Sequence, residues 1–200
     1  MKTLKGSILS RSSHGAEGFK EQRRDLIEKW LKEYDIENYT INDDFTIDVD
    51  DDVDLEGEDL VELPDYIQFG VVKGDFYCSY NELTSLRGAP KEVSGSFNCG
   101  SNNLTSLQGA PREVEDFICN SNKLTSLKGS PIIVKGYFSC NDNQLKTLEG
   151  APKEVDGGFY CNYNKLTSLK GAPESATSFY CSNNKVQFTE EDVREVCNVR

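Results

Sequence analysis

From Phe76 onward the apolar residues fall into fixed columns. The phrase FYCSYNELTSLRGAPKEV, starting at Phe76, returns at Phe97, Phe117, Phe138, Phe159 and Phe179, in steps of 21, 20, 21, 21 and 20 residues. Phe-x-Cys alternates with period two, so Phe and Cys of each copy share one face of a short strand. Leu83, Leu104, Leu124, Leu145 and Leu166 form the next column, with Val186 in the last copy, and Leu86, Leu107, Leu127, Leu148 and Leu169 the one after. Each copy predicts one strand, stacked in parallel on the next at about 4.8 Å, so that seven copies make a sheet about 30 Å across. Gly-Ala-Pro then closes each copy: Gly permits a tight turn and Pro blocks any helix, so the far side is expected to hold turns or extended chain.

The pattern changes at both ends. Phe19, Arg23, Leu26, Ile27, Trp30, Leu31 and Tyr34 recur at helical spacing and predict an amphipathic helix packed on the first coil. Asp43-Asp44 between TIN and FTI predicts a hairpin. Thr189-Glu-Glu-Asp192 reads as a helix start, with Val193, Val196 and Cys197 facing the last coil. Solenoids need their apolar ends covered, and these segments are expected to serve as caps. The organisation predicted is a flexible lead at 1–16, a helix plus acidic β cap at 17–52, a solenoid of about seven coils at 53–188 and a helical cap at 189–200.

The repeat resembles the leucine-rich repeat, L-x-x-L-x-L-x-x-N-x-L-x-x-L, with Phe and Cys in two of the Leu slots. Val114-x-x-Phe117-x-Cys119-x-x-Asn122-x-Leu124-x-x-Leu127 matches it position by position. A degenerate first copy, Val53-x-Leu55-x-x-Glu58-x-Leu60-x-x-Leu63, carries Glu58 in the Asn slot. In wording the repeat is similar to proteins of unassigned role in tailed bacteriophages and gut bacteria. The resemblance implies an α/β-type repeat solenoid, mainly β, with a curved parallel sheet between an N-terminal helical cap and a short C-terminal helix. It also implies a macromolecular partner rather than a substrate.

The polar column between strand and Leu is Asn81, Asn102, Asn122, Asn143, Asn164 and Asn184. The chain turns inside each coil, and a buried backbone group without a partner costs on the order of 1–3 kcal/mol. An Asn amide both donates and accepts, so the column is expected to be a structural ladder. The chain has seven Cys, and six of them recur once per coil in an inward slot, which suits buried free thiols. An odd count spaced by coil argues against a disulfide framework, and Cys-x-x-Asn with a single His, His14, lacks a zinc ligand set. No cofactor is expected.

Charge adds one local feature. The net charge of −12 comes from residues 41–66, where twelve Asp/Glu stand without a Lys or Arg. This excludes a general basic footprint for nucleic acid or anionic membranes. Asp48, Asp50, Asp52 and Asp54 alternate and would share one face of an extended strand, with Glu56 beyond them. The run falls short of a calcium loop, having Val53 where Gly is wanted and Asp59 where Glu is. It is expected to be either a solvated edge that discourages aggregation or a dock for a basic protein. No stretch is apolar enough to span a membrane and no signal core follows Lys2 and Lys5, so a cytoplasmic protein is expected.

Function is expected on the outward strand residues, the concave face of such a fold. Tyr77, Tyr80, Ile118, Tyr137, Tyr160, Tyr163 and Tyr180 lie in these columns, alongside Asp75, Ser96 and Asp116. Tyr offers large contact area at low entropic cost. No nucleophile with a base, metal set or phosphate loop is visible, so an enzyme is not expected. The expected partner is another protein, of unspecified identity, with oligomeric state left open. The alternatives are an acidic decoy for a basic host protein, acting through residues 41–66, and a structural virion component.

Overall fold

The computed structural model describes residues 13–200, with side chains from residue 17 onward. Most of the expected lead and the side chain of His14 lie outside the described residues. Helix α1 (Ser13–Glu33) is followed by β1 (Tyr39–Ile41), β2 (Ile47–Val49), β3 (Val53–Asp54), β4 (Phe69–Val72), β5 (Phe76–Tyr77), β6 (Glu92–Val93), β7 (Phe97–Asn98) and β8 (Glu113–Val114). Then come β9 (Phe117–Ile118), β10 (Ile133–Val134), β11 (Phe138–Ser139), β12 (Glu154–Val155), β13 (Gly158–Tyr160), β14 (Ser175–Ala176), β15 (Ser178–Tyr180), α2 (Glu190–Arg194) and β16 (Asn198–Val199). The protein is a mainly β solenoid of parallel strands, with a long helix at one end and a short one at the other.

The Phe-x strands build one seven-stranded sheet in the order β15-β13-β11-β9-β7-β5-β3. Its register is uniform: Phe76 pairs with Phe97, Phe97 with Phe117, Phe117 with Phe138, Phe138 with Phe159 and Phe159 with Phe179. The rings therefore stack, with centroids 5.1–5.6 Å apart from Phe76 to Phe179. Phe76 to Phe159, Cys78 to Cys161 and the Leu columns are buried. Each such Phe contributes about 1.5–3 kcal/mol by leaving water.

The far side differs from the expectation of turns alone. Each coil makes a second short strand there, from its Glu-Val segment in β6, β8 and β12 and from the equivalent positions in β4, β10 and β14. These form the four-stranded sheet β1-β2-β4-β6 and the five-stranded sheet β16-β14-β12-β10-β8. Val72, Val93, Val114, Val134, Val155 and Ala176 point inward from this second rank. The core is thus a flat sandwich of Phe, Cys, Leu and Val columns between two ranks of strands. Gly150 shows why the turns between ranks need glycine: its φ is +95° and a Cβ there would sit 2.5 Å from the Lys128 backbone nitrogen.

The caps match the sequence in kind and differ in detail. Helix α1 buries Ile27, Trp30 and Leu31, with the Trp30 ring 6.2 Å from Phe69 and 4.6 Å from Tyr34. Phe19 and Leu26 fit the helical spacing yet stay exposed: Phe19 lies two turns before the first buried residue, Ile27, and Leu26 sits beside Ile27 on the outward side of the same turn. Arg23 lies over the Phe45 ring at 4.7 Å. The hairpin expected at Asp43-Asp44 forms, with Tyr39 opposite Val49 and Ile41 opposite Ile47. Thr189 caps α2 in a reciprocal capping box with Asp192, Val193 and Cys197 are buried, and Val196 is exposed.

Candidate binding face

The Asn column lies under the turn that follows each strand. Asn122 is representative: its Nδ2 donates to the carbonyls of Cys99 at 3.0 Å, Cys119 at 3.2 Å and Asn120 at 3.2 Å, and its Oδ1 accepts from Leu104 N–H at 2.9 Å. Asn81, Asn102, Asn143, Asn164 and Asn184 repeat this arrangement. Each amide is fully used by the backbone of two adjacent coils and none is free for a ligand. The Glu58 side chain, in the Asn slot of the first coil, is exposed.

The seven Cys are free thiols, five of the six in the column are buried and Cys181 is half-buried. Burial pushes their pKa values up, Cys78 to about 12. A thiol held protonated is a poor nucleophile.

A second bracket between coils escaped the sequence reading. Asp52 Oδ1 accepts from Asp75 N–H at 2.7 Å, Asp75 Oδ1 from Ser96 N–H at 2.6 Å and Asp116 Oδ1 from Tyr137 N–H at 2.7 Å. Gly74, Gly95 and Gly136 leave the space these carboxylates fill, since a Cβ on any of them would collide with the oxygen. The glycine two positions before the strand Phe was the available signal. Asp75 and Asp116, expected as recognition residues, are thus tied to the backbone of the next coil.

The acidic run is similarly divided. The chain passes from one rank of strands to the other between Val49 and Val53, so the alternating aspartates do not share one face. Asp48 accepts from Val71 N–H at 2.8 Å and from Asn42 Nδ2 at 2.9 Å, and Asp50 pairs with Lys73 at 2.7 Å. Asp54 accepts from its neighbour Glu56 N–H at 3.0 Å, and the Glu56 carboxylate accepts from Ser79 Oγ at 2.5 Å. Among the described residues, no group of three or more His, Cys, Asp or Glu is placed to hold a metal ion.

The tyrosines fall into three environments. Tyr77 is half-buried and donates its hydroxyl to Asp75, which pushes its pKa up to about 12. Tyr137, Tyr160 and Tyr180 form a cluster on the outer face of the seven-stranded sheet, Tyr137 edge-on to Tyr160 at 6.1 Å and Tyr160 stacked on Tyr180 at 5.0 Å. Tyr80 and Tyr163 stand at the corner just past the Cys, 66% and 61% exposed. Their φ is +54°, the left-handed region that Ser101, Ser121, Asp142 and Asn183 occupy in the other copies. Ile118 is half-buried among them and Ser139 is buried.

One exposed apolar pair was not foreseen. Ile132 and Ile133 sit on the second rank, where Arg112-Glu113 and Lys153-Glu154 stand in the neighbouring coils. Both side chains are exposed. The break in the Lys/Arg-Glu pattern was the signal for them.

No protein-family model, curated protein or solved structure matches the chain.

Proposed function

We propose that the protein is a non-enzymatic binding module that grips another protein through the tyrosine-bearing face of its seven-stranded sheet. The observation that carries this reading is the corner placement of Tyr80 and Tyr163. A non-glycine residue in the left-handed region costs about 1–2 kcal/mol, least for Asn and Asp, and an exposed ring there fills no core. Strand propensity does not account for a tyrosine outside a strand. Rings retained where they weaken the fold are explained by contact with something else. Tyr137, Tyr160 and Tyr180 extend the same aromatic area along the sheet.

The repeat wording supports a leucine-rich-repeat-type solenoid, encoded by a phage and acting on a host protein in the bacterial cytoplasm. The decoy reading, in which residues 41–66 dock a basic partner, draws less support, because Asp48, Asp50, Asp52, Asp54 and Glu56 are engaged separately within the fold.

Affinity capture from bacterial lysate tests the reading. The expected result is a partner that stays bound at high salt and is lost from the Tyr80→Asn/Tyr163→Asn variant. The same variant is expected to be more stable than the parent by about 0.5–1 kcal/mol per site, since Asn tolerates the corner better. A partner held by that variant but lost on Asp50→Asn/Asp54→Asn, or stripped by salt, would move the site to the acidic segment.

A further inference from the structure

The two ends of the seven-stranded sheet are built differently. Along the solenoid, every strand Phe and Cys donates its N–H to the coil that follows: Phe97 to Asp116 O at 2.8 Å, Cys99 to Ile118 O at 2.8 Å, Cys140 to Tyr160 O at 2.8 Å, Cys161 to Tyr180 O at 2.8 Å. In β15 the same positions are Phe179 and Cys181, and among the described residues no coil follows. By the alternation of a parallel ladder, the N–H and C=O of Phe179 point away from β13. Phe179 is half-buried where the preceding five rings of its column are buried, and Tyr180 is exposed on its outer side. The edge forms one wall of a groove of about 890 Å³, and Phe188, Val193 and Arg194 from the α2 segment line the other.

The opposite edge, β3, is guarded against pairing by charge and by two covered donors. Asp52, Asp54 and Glu56 line it, the Asp51 carboxylate accepts from Asp52 N–H at 2.9 Å, and Asp54 Oδ1 covers Glu56 N–H at 3.0 Å. Charge and self-satisfied donors are the usual protection of an edge strand. Thr177 to Asn183 carries no charge and no such cover.

We infer that the C-terminal edge of the sheet is a strand-addition site that takes an uncharged, extended segment of a partner protein as an eighth parallel strand. The main chain of the segment bonds Phe179 and Cys181, as each coil bonds its neighbour. The stacking columns set its side chains: an aromatic ring over Phe179, a flat ring or small polar group over Tyr180 and a small residue over Cys181. This site is distinct from the tyrosine face, although Tyr180 borders both. It stands or falls on backbone bonding, which the Tyr80→Asn/Tyr163→Asn variant leaves untouched.

A peptide of the protein's own fifth Phe-x-Cys coil, the uncharged residues 157–164 with Ser for the cysteine, has the required pattern and serves as the probe. Added to the intact chain, it is expected to bind one to one and to slow hydrogen exchange at the Phe179 and Cys181 amides. N-methylation of the peptide Tyr at its second strand position blocks the bond to Phe179 C=O and is expected to weaken binding about tenfold or more, the equivalent of one hydrogen bond. N-methylation of the preceding Phe, whose N–H points to solvent, is expected to change affinity less than about twofold. Equal loss from both methylations, no protection at Phe179 and Cys181, or self-association of the chain that occupies the edge without peptide would each overturn the inference.

Discussion

Replacing Asn122 by Ala isolates what the ladder contributes. The side chain is buried, and it serves four backbone groups in two coils. The carbonyls of Cys99 and Cys119 keep a second amide each, from Asn102 at 3.2 Å and Asn143 at 3.0 Å. Leu104 N–H keeps none, since Asn122 Oδ1 is its acceptor and the site is closed to water. One orphaned buried donor costs about 1–3 kcal/mol and the weakened carbonyl bonds about 1 kcal/mol more, so a loss of about 2–4 kcal/mol is expected. Asn122→Asp keeps the acceptor for Leu104 but turns a carboxylate oxygen toward the three carbonyls of Cys99, Cys119 and Asn120. That variant's carboxyl pKa is raised in the folded state, so its stability is fully recovered below the unfolded carboxyl range and is lost as pH rises from there toward the raised folded value. Urea unfolding followed by far-UV circular dichroism measures both variants. Asn184→Ala is the comparison: it sits in the last coil, partly exposed, and should lose less than about 1 kcal/mol. An Asn122→Ala loss no larger than that of Asn184→Ala would refute the argument that the amides are needed because they are buried.

Gly150→Ala should cost about 3 kcal/mol in the same assay, because the new methyl meets backbone rather than a movable side chain and the φ is left-handed. Above pH 9 the protein should unfold steeply: each buried thiol stays protonated in the fold while the unfolded chain ionises, removing about 1.4 kcal/mol per pH unit per thiol. An alkaline titration of stability with a slope near zero between pH 9 and 10 would contradict the buried column. Tyr77 should be the last tyrosine to ionise in an ultraviolet titration near 295 nm, and its hydrogen bond to Asp75, fully present below pH 10, should be lost as pH rises through about 12. Tyr77→Phe should remove that late step alone.

The columns of Phe, Cys, Leu and Asn were legible because each is repeated five or six times in one register, and stacking forces equivalent residues into equivalent places. The second rank of strands was not, since a Glu-Val segment offers one alternation and no period can be read from two residues. Helical spacing identified α1 but misassigned its inner face. Phe19 lies on a turn beyond the core contact and Leu26 on the outward side of a turn whose Ile27 is buried, and spacing alone says neither where a cap stops touching its core nor which flank of the stripe is covered. The aspartates from 48 to 54 were read as one strand face because alternation continues through the sequence. The backbone does not continue: it changes sheet between Val49 and Val53, and the facing of every residue is reset. The corner of Tyr80 and Tyr163 left a fainter trace. Ser, Asp and Asn fill that column elsewhere, and Gly57 fills it in the first coil with φ +72°, a composition that suits a left-handed residue.

The segregated charge of the chain acquires a physical account from the same geometry. A solenoid of identical coils has two complementary ends, acceptors and donors in matching register, and would stack on itself without limit. Here the first strand holds Asp52, Asp54 and Glu56, and carboxylates cover the main-chain donors of Asp52 and Glu56. Of the twelve acidic residues at 41–66, Asp51, Asp52, Asp54 and Glu56 stand along this edge, where they disfavour strand addition. Seating an uncharged edge such as Ser178–Tyr180 against them would desolvate carboxylates without a cationic partner, which costs more than the backbone bonds return. An edge so charged is expected to resist pairing with a second copy of the chain. It leaves the opposite edge, with Phe179 and Cys181 unpaired by any following coil, as the only solenoid end among the described residues that is open to a strand of different origin.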